Sequence, residues 1–278
     1  MKENECVRIP RNILEQFCDE VFVVLGLSKQ DAYDSSQILV AADARGIGSH
    51  GVGRLWRYMN GIQKGIMKGS VRPLVLRETP MSLVLDANGA MGMGVSKRTM
   101  SKTISKAKIQ GAAFSSVRNS NHFGIAGYYS ELAASENMIG IAMTNTAALG
   151  VPTFGRAAMF GTNPLAFSVP ASDGRIFTLD MATTCVTRGK VEIFQREGNP
   201  LPLGWAVDTK GQLTTDAKQL LEDMLFQRGG GMLPLGGAEE LHGGHKGYGL
   251  AVLVDILCAV ASGGDFGKVV KDSEATSA

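Results

Sequence analysis

Between Asp86 and Glu131 this chain contains no acidic residue, although the segment opens on a glycine-rich turn, Gly89-Ala90-Met91-Gly92-Met93-Gly94. A β-rich run, Ser82 to Asp86, precedes the turn, and a long helical stretch, about Ser96 to Gln110, follows it. That order invites a doubly wound dinucleotide fold. The fingerprint of such a fold is G-x-G-x-x-G followed by an Asp or Glu about 20 positions on, which takes the ribose hydroxyls. Here the glycine spacing is reversed and the acid is missing, so the classical Rossmann unit is disfavoured. The rest of the pattern predicts a different α/β protein. Residues from about Pro10 to Gly65 carry helical periodicity, with Ser28-Lys29-Gln30-Asp31 as a box-like start for the second helix. From Met81 onward short β runs dominate: Ser82 to Asp86, Ala112 to Val117, Ile139 to Thr144, Leu165 to Pro170 and Phe177 to Asp180. The stretch from Arg188 to Leu235 is rich in Gly, Pro and charge and predicts a long excursion over the site rather than a separate domain.

Composition narrows the class. A chain of 278 residues, 44% apolar and 19% charged, buries a sizeable core. A net charge of +2 gives no electrostatic case for nucleic acid or an anionic membrane as partner. Cys6, Cys18, Cys185 and Cys258 are scattered, without Cys-x-x-Cys spacing and without a secretory leader, which predicts free thiols in a reducing, cytoplasmic setting. The longest apolar stretch, Tyr248 to Ser262, contains Asp255 and falls short of a membrane span; a buried helix is expected there.

Two of the four histidines lie in segments that can carry proton chemistry, Ser49-His50-Gly51-Val52-Gly53-Arg54 and Asn119-Ser120-Asn121-His122-Phe123-Gly124. Apolar residues at helical spacing (Leu55, Tyr58, Met59, Ile62) follow the first segment, so His50 and Arg54 are expected four apart on one helical face. A guanidinium grips a planar carboxylate with two parallel hydrogen bonds, and an imidazole beside it exchanges a proton with an oxygen on the neighbouring carbon. Together they describe a site for a 2-oxo or 2-hydroxy acid. The plainer alternative is a helix start capped by Ser49 with a surface histidine. The second segment follows a run expected to be a buried strand, Ala112 to Val117, and precedes a helix begun near Gly127. A strand, a glycine-bearing loop and a helix start offer free backbone N–H groups to an anion. His122 then stands at the mouth of a binding site, or is simply a loop histidine satisfying a backbone group.

Metal chemistry is not expected. His242 and His245 lie within reach of each other, but no Cys or carboxylate cluster completes a ligand set. A hydrolase built on Ser49 and His50 is also disfavoured, because adjacent residues rarely present nucleophile and base to each other.

Five segments resemble, in order and spacing, the malate/L-lactate dehydrogenase family of type 2: SHGVGR at Ser49, NSNHFGIAGYY at Asn119, Gly161-Thr162-Asn163-Pro164-Leu165-Ala166-Phe167, Leu179-Asp180-Met181-Ala182-Thr183-Thr184 and His245-Lys246-Gly247-Tyr248-Gly249-Leu250. The resemblance runs from about Arg8 to the last residue. It implies a nicotinamide-dependent oxidoreductase, using NAD or NADP, with malate and oxaloacetate as the favoured pair. It implies a non-Rossmann, mixed-sheet cofactor-binding α/β domain over residues 76–245 and a helical N-terminal subdomain over 1–75, joined by a C-terminal helix over about 246–278. His50 is then the acid or base, Ser49 its orienting partner, and Arg54 the holder of the C1 carboxylate, with His122 as acid, base or cofactor contact. Thr162 and Lys190 are expected at the substrate. Phe123, Gly124, Ile125, Ala126, Thr146, Asp180, Met181, Ala182, His245 and Lys246 are expected at the cofactor. Lys190 stands near the position where cyclic-imine reductases of the family have an aspartate, so its charge favours an acid. Thr146 stands where serine is usual and keeps the hydroxyl. The family implies a homodimer and continues for several dozen residues where this chain stops. A shortened, non-catalytic scaffold of the same family is the competing expectation.

Overall fold

The computed structural model describes residues 7–69 and 71–270. Three helices open the chain, α1 (Arg11–Val24), α2 (Lys29–Ala44) and α3 (Leu55–Gln63). Ser28 caps α2 as its sequence predicts, its hydroxyl accepting the Asp31 N–H at 3.1 Å. Strand β1 (Leu74–Glu78), which the sequence pattern did not announce, pairs antiparallel with β2 (Ser82–Asp86). Helix α4 (Gly92–Gln110) then crosses over to β3 (Phe114–Arg118), which pairs parallel with β2. This sheet is therefore mixed. Only its middle strand is well covered: Phe114 is 62% exposed, so the run expected to be buried is a sheet edge.

After helix α5 (Ala126–Ala134) comes a second, antiparallel sheet of β4 (Gly140–Met143), β5 (Leu165–Pro170) and β6 (Ile176–Met181). Helix α5 packs on β5 and on β4, where Gly140 gives way to the Ser130 carbonyl: a Cβ there would lie 1.9 Å from that oxygen. The Arg188 to Leu235 excursion contains α6 (Arg188–Glu197), β7 (Ala206–Val207), α7 (Ala217–Leu225) and β8 (Gly231–Met232). It has a small core of its own around Val191, Leu201, Leu220 and Met232. Helix α8 (Gly244–Asp255) continues into a π-helical turn, Ile256–Val260. The expectation of a buried helix fails at this end, because Ile256 and Val260 are exposed. The apolar run is one-sided there: Val254, Asp255 and Ala259 are buried while Ile256, Leu257 and Val260 are exposed.

The principal core joins the N-terminal helices to α4 and α5. Cys18 and Phe22 of α1, Ile38 and Leu39 of α2, Tyr58 of α3, Met93 of α4 and Tyr129 of α5 share one cluster. Burial of this kind is worth about 1.5–3 kcal/mol per large side chain. It fixes α3 against the loop that carries His122. Among the described residues no helix is long and apolar enough to cross a membrane.

Candidate active site

The backbone around Ser49 is not the helix expected of it. Residues 48–51 form turns and a bend, Val52–Arg54 is a single 3₁₀ turn, and α3 begins only at Leu55. The reason lies in Gly51: a Cβ there would lie 1.8 Å from the Asp43 carboxylate, which instead accepts the Val52 N–H at 2.8 Å. Asp43 thus anchors the turn from outside, and Ser49 caps nothing. His50 and Arg54 do not share a helical face. They meet by folding back, with Arg54 Nε donating to the Ser49 carbonyl at 2.8 Å.

Ser49 Oγ lies 2.8 Å from His50 Nδ1. Adjacent serine and histidine do therefore meet, contrary to expectation. In serine hydrolases, however, the nucleophile faces Nε2 and an orienting group holds Nδ1. Here the serine holds Nδ1 and leaves Nε2 as the nitrogen directed to other chemistry. The His50 ring stacks on that of His122, with centroids 5.5 Å apart and planes 23° from parallel.

His122 is held from two sides. The Gly124 N–H donates to Nδ1 at 3.2 Å, and Tyr58 Oη lies 2.6 Å from the same nitrogen. Since an N–H can only donate, Nδ1 is an acceptor, the Tyr58 hydroxyl donates to it, and the ring proton sits on Nε2. Both histidines are neutral at pH 7. Burial, then the Arg54 and Arg57 charges, lowers His50 to about 4. Burial, then the Arg57 charge, holds His122 well below the ordinary histidine value. Tyr58 is fully buried, and that burial raises its hydroxyl pKa, so it remains a donor. In the sequence Tyr58 registers only as an apolar residue at helical spacing. No local signal marks it, because its partner is 64 positions away.

The NSNHFG loop owes its place to the glycine-rich turn. A Cβ on Gly92 would lie 2.1 Å from the Asn121 carbonyl oxygen, and one on Gly94 would lie 2.2 Å from an Asp31 carboxylate oxygen. These glycines serve close backbone packing, which explains a spacing unlike the dinucleotide fingerprint. Ile125 and Ala126 are buried, and Phe123 stacks on Tyr129 at 4.9 Å. Gly124 adopts φ +82° against Ile38. The helix start here is not open to an anion as expected: the Gly127 N–H donates to Asp180 Oδ2 at 2.7 Å, so a carboxylate of the chain itself already holds that N–H. Asp180 is thus engaged by α5, while Met181 and Ala182 continue from it, half-buried.

A second group forms around Thr146. Its hydroxyl accepts the Thr162 N–H at 3.1 Å, and its own N–H donates to Asn163 Oδ1 at 3.2 Å. The cradle is tight: a Cβ on Gly161 would lie 2.0 Å from Thr146 Oγ1. The Thr162 carbonyl accepts the Thr183 N–H, and the Thr183 carbonyl accepts the Leu235 N–H, both at 2.9 Å. Leu235 in turn packs on Gly247, where a Cβ would be 2.3 Å from the Leu235 carbonyl oxygen. In this way the first turn of α8, with exposed His245 and Lys246, is tied to Thr162. Among the described residues no group of three or more His, Cys, Asp or Glu side chains could hold a metal ion.

The excursion closes on the first group through α6. A Cβ on Gly189 would lie 2.7 Å from Arg54 Nη2 and 3.2 Å from the Ser49 Cβ. Glu192, one turn on, pairs with Arg54 Nη2 at 3.1 Å and with Arg188 Nε at 3.0 Å. Lys190 lies exposed on the same helix with its ammonium 5.3 Å from the Trp205 ring centroid. Neither Glu192 nor Arg57 was foreseen as a site residue. Glu192 acts across 138 positions, and nothing beside Arg57 in the α3 sequence ties its charge to the two histidines.

A stacked imidazole pair beside an arginine, on a mixed α/β fold, is an arrangement that can exchange a proton next to a bound anion. The sequence matches the model of a family described as malate/L-lactate dehydrogenase over residues 9–278. It is 45% identical to the malate dehydrogenase of Pyrococcus abyssi over 267 residues, 96% of this chain and 72% of that protein. The malate/(S)-sulfolactate dehydrogenase of Methanothermus fervidus is 37% identical over 91% of this chain and 70% of its own length. The crystal structure of malate dehydrogenase from Entamoeba histolytica superposes with a TM-score of 0.92 at 36% identity, covering 95% of this chain and 73% of that one. The chain belongs to the malate/L-lactate dehydrogenase family.

Proposed function

We propose that this chain is a nicotinamide-dependent oxidoreductase that interconverts a 2-hydroxy acid and its 2-oxo acid, with malate and oxaloacetate as the favoured pair. The observation that carries the reading is the Ser49–His50–Arg54 arrangement stacked on His122. In the oxidising direction His50 is already in the basic form, and its Nε2 takes the proton of the C2 hydroxyl. The imidazolium so formed has an N–H at Nδ1, which Ser49 Oγ accepts. Arg54 holds the C1 carboxylate. An anion bound there offsets the arginine charge that depresses His50, so the bound acid raises the basicity of the group that deprotonates it. His122, with its proton on Nε2, is a neutral donor for the same oxygen.

The nicotinamide, when bound, supplies the exchange of a hydride with C2. The residues that would hold its cofactor fit in part. Exposed His245 and Lys246 on the first turn of α8, with Thr146 and Thr162 behind them, suit an anionic group. The start of α5 suits one less well, because Asp180 already accepts the Gly127 N–H. Both NAD and NADP are compatible with this set. Assembly as a homodimer belongs to the same proposal. Absorbance assays of NAD and NADP reduction with malate, lactate, sulfolactate and ureidoglycolate test it. Turnover of a 2-hydroxy acid that falls on the order of 10²- to 10⁴-fold in His50→Gln is expected. Absence of turnover with all four acids and both cofactors would overturn it.

A further inference from the structure

Arg54 already grips a carboxylate. Its Nη2 lies 3.1 Å from Glu192 Oε2, and its Nε is committed to the Ser49 carbonyl at 2.8 Å. A guanidinium can take a carboxylate with two prongs along either of two edges, through Nε and Nη2 or through Nη1 and Nη2. Both edges include Nη2. The Nε edge is closed by the Ser49 carbonyl, and at the other edge an incoming carboxylate lies against the Glu192 carboxylate on Nη2, so like-charge repulsion favours an exchange in which Glu192 gives up its place. Glu192 can do so without being stranded, because its other oxygen stays with Arg188 Nε, 3.0 Å away and one turn back on the same helix.

We propose that Glu192 is an internal competitor for the acid, a carboxylate of α6 that occupies Arg54 until the substrate carboxylate exchanges with it. This rests on Arg54 being the carboxylate holder of the proposed reaction. The exchange sets specificity. An acid that makes both bonds to Arg54 recovers what is lost at Glu192, whereas a neutral hydroxy compound of the same shape leaves the Glu192 contact in place and is rejected. It also ties α6, and with it the excursion from Arg188 to Leu235, to occupancy of the site. Gly189 lets α6 pack closely on both Arg54 and Ser49, which keeps Glu192 within reach of Arg54.

The test is binding of malonate, a dicarboxylate that cannot be oxidised, by calorimetry with native protein, Glu192→Gln and Glu192→Asp. The Arg54–Glu192 pair is neither open nor sealed, its side chains being 22% and 30% exposed, so the competition is worth more than a surface pair and less than a buried one. Glu192→Gln should bind malonate about 3- to 10-fold more tightly. Glu192→Asp, too short to span to Arg54, should shift the same way and serves should the glutamine variant fail to fold. In an Arg54→Gln background the gain should vanish. Unchanged or weaker malonate binding in folded Glu192 variants would overturn the proposal and make Glu192 a support for Arg54. The readout needs no turnover. Failure of the dehydrogenase assay with intact exchange would sink the reaction and leave the exchange standing.

Discussion

Acidification should cost this protein stability through His50 in particular. In the unfolded chain a histidine titrates near 6.5, whereas burial and the Arg54 and Arg57 charges hold folded His50 to about 4. Between those values the unfolded state binds more protons than the folded one. The stability tied to neutral His50 is thus complete above pH 6.5 and is lost as the pH falls through 4. At about 1.4 kcal/mol per pH unit, the whole window is worth about 3 kcal/mol, of which about 2 kcal/mol is gone by about pH 5. That is a large share of a domain's typical 5–15 kcal/mol. Urea unfolding followed by circular dichroism, from about pH 7 down to about pH 5, measures it, with His50→Gln as the reference. Carboxylates and His122 titrate in both proteins, so the difference between the two slopes isolates His50. The native protein should lose about 2 kcal/mol more than the variant. Equal losses would refute the argument that burial and the arginines keep this imidazole neutral.

Tyr58→Phe removes one of the two donors to His122 Nδ1 and should cost about 1 kcal/mol in thermal or urea unfolding, since the Gly124 N–H remains; a neutral substitution would show that the Tyr58 hydroxyl is not donating. Gly92→Ala drives a Cβ into the Asn121 carbonyl and should destabilise by about 1–3 kcal/mol while lowering turnover, because the displaced loop carries His122. Native melting and native kcat in that variant would mean the loop gives way freely. Arg54→Lys, whose single ammonium cannot serve the Ser49 carbonyl and a carboxylate fork together, should raise KM for the acid about 10- to 100-fold in steady-state assays. An unchanged KM would place the carboxylate elsewhere.

The sequence by itself determined the family and the mixed α/β class, and it pointed to His50, Arg54 and His122 as candidates for the chemistry. It could do so because those determinants are local. The Ser28 cap, the strand runs from Ser82 and Leu165, and motifs such as SHGVGR and NSNHFG each lie within a few consecutive residues. Tertiary structure alone decided how they meet. Helical periodicity carried forward from Leu55 predicted a helix through His50, but Asp43 and Gly51 fix a turn there, so the His50 and Arg54 side chains converge by a fold-back that no spacing rule encodes. The glycine-rich turn resembles a failed dinucleotide motif in sequence, whereas in the fold the backbone of Asn121 rests on Gly92. The start of α5 has the local pattern of an anion site, but Asp180, 53 positions away, accepts the Gly127 N–H. Tyr58 and Glu192 stayed hidden for the same reason. A buried hydroxyl and a shared carboxylate acquire their roles from partners 64 and 138 residues distant, and packing brings such partners together with no trace in the neighbouring sequence.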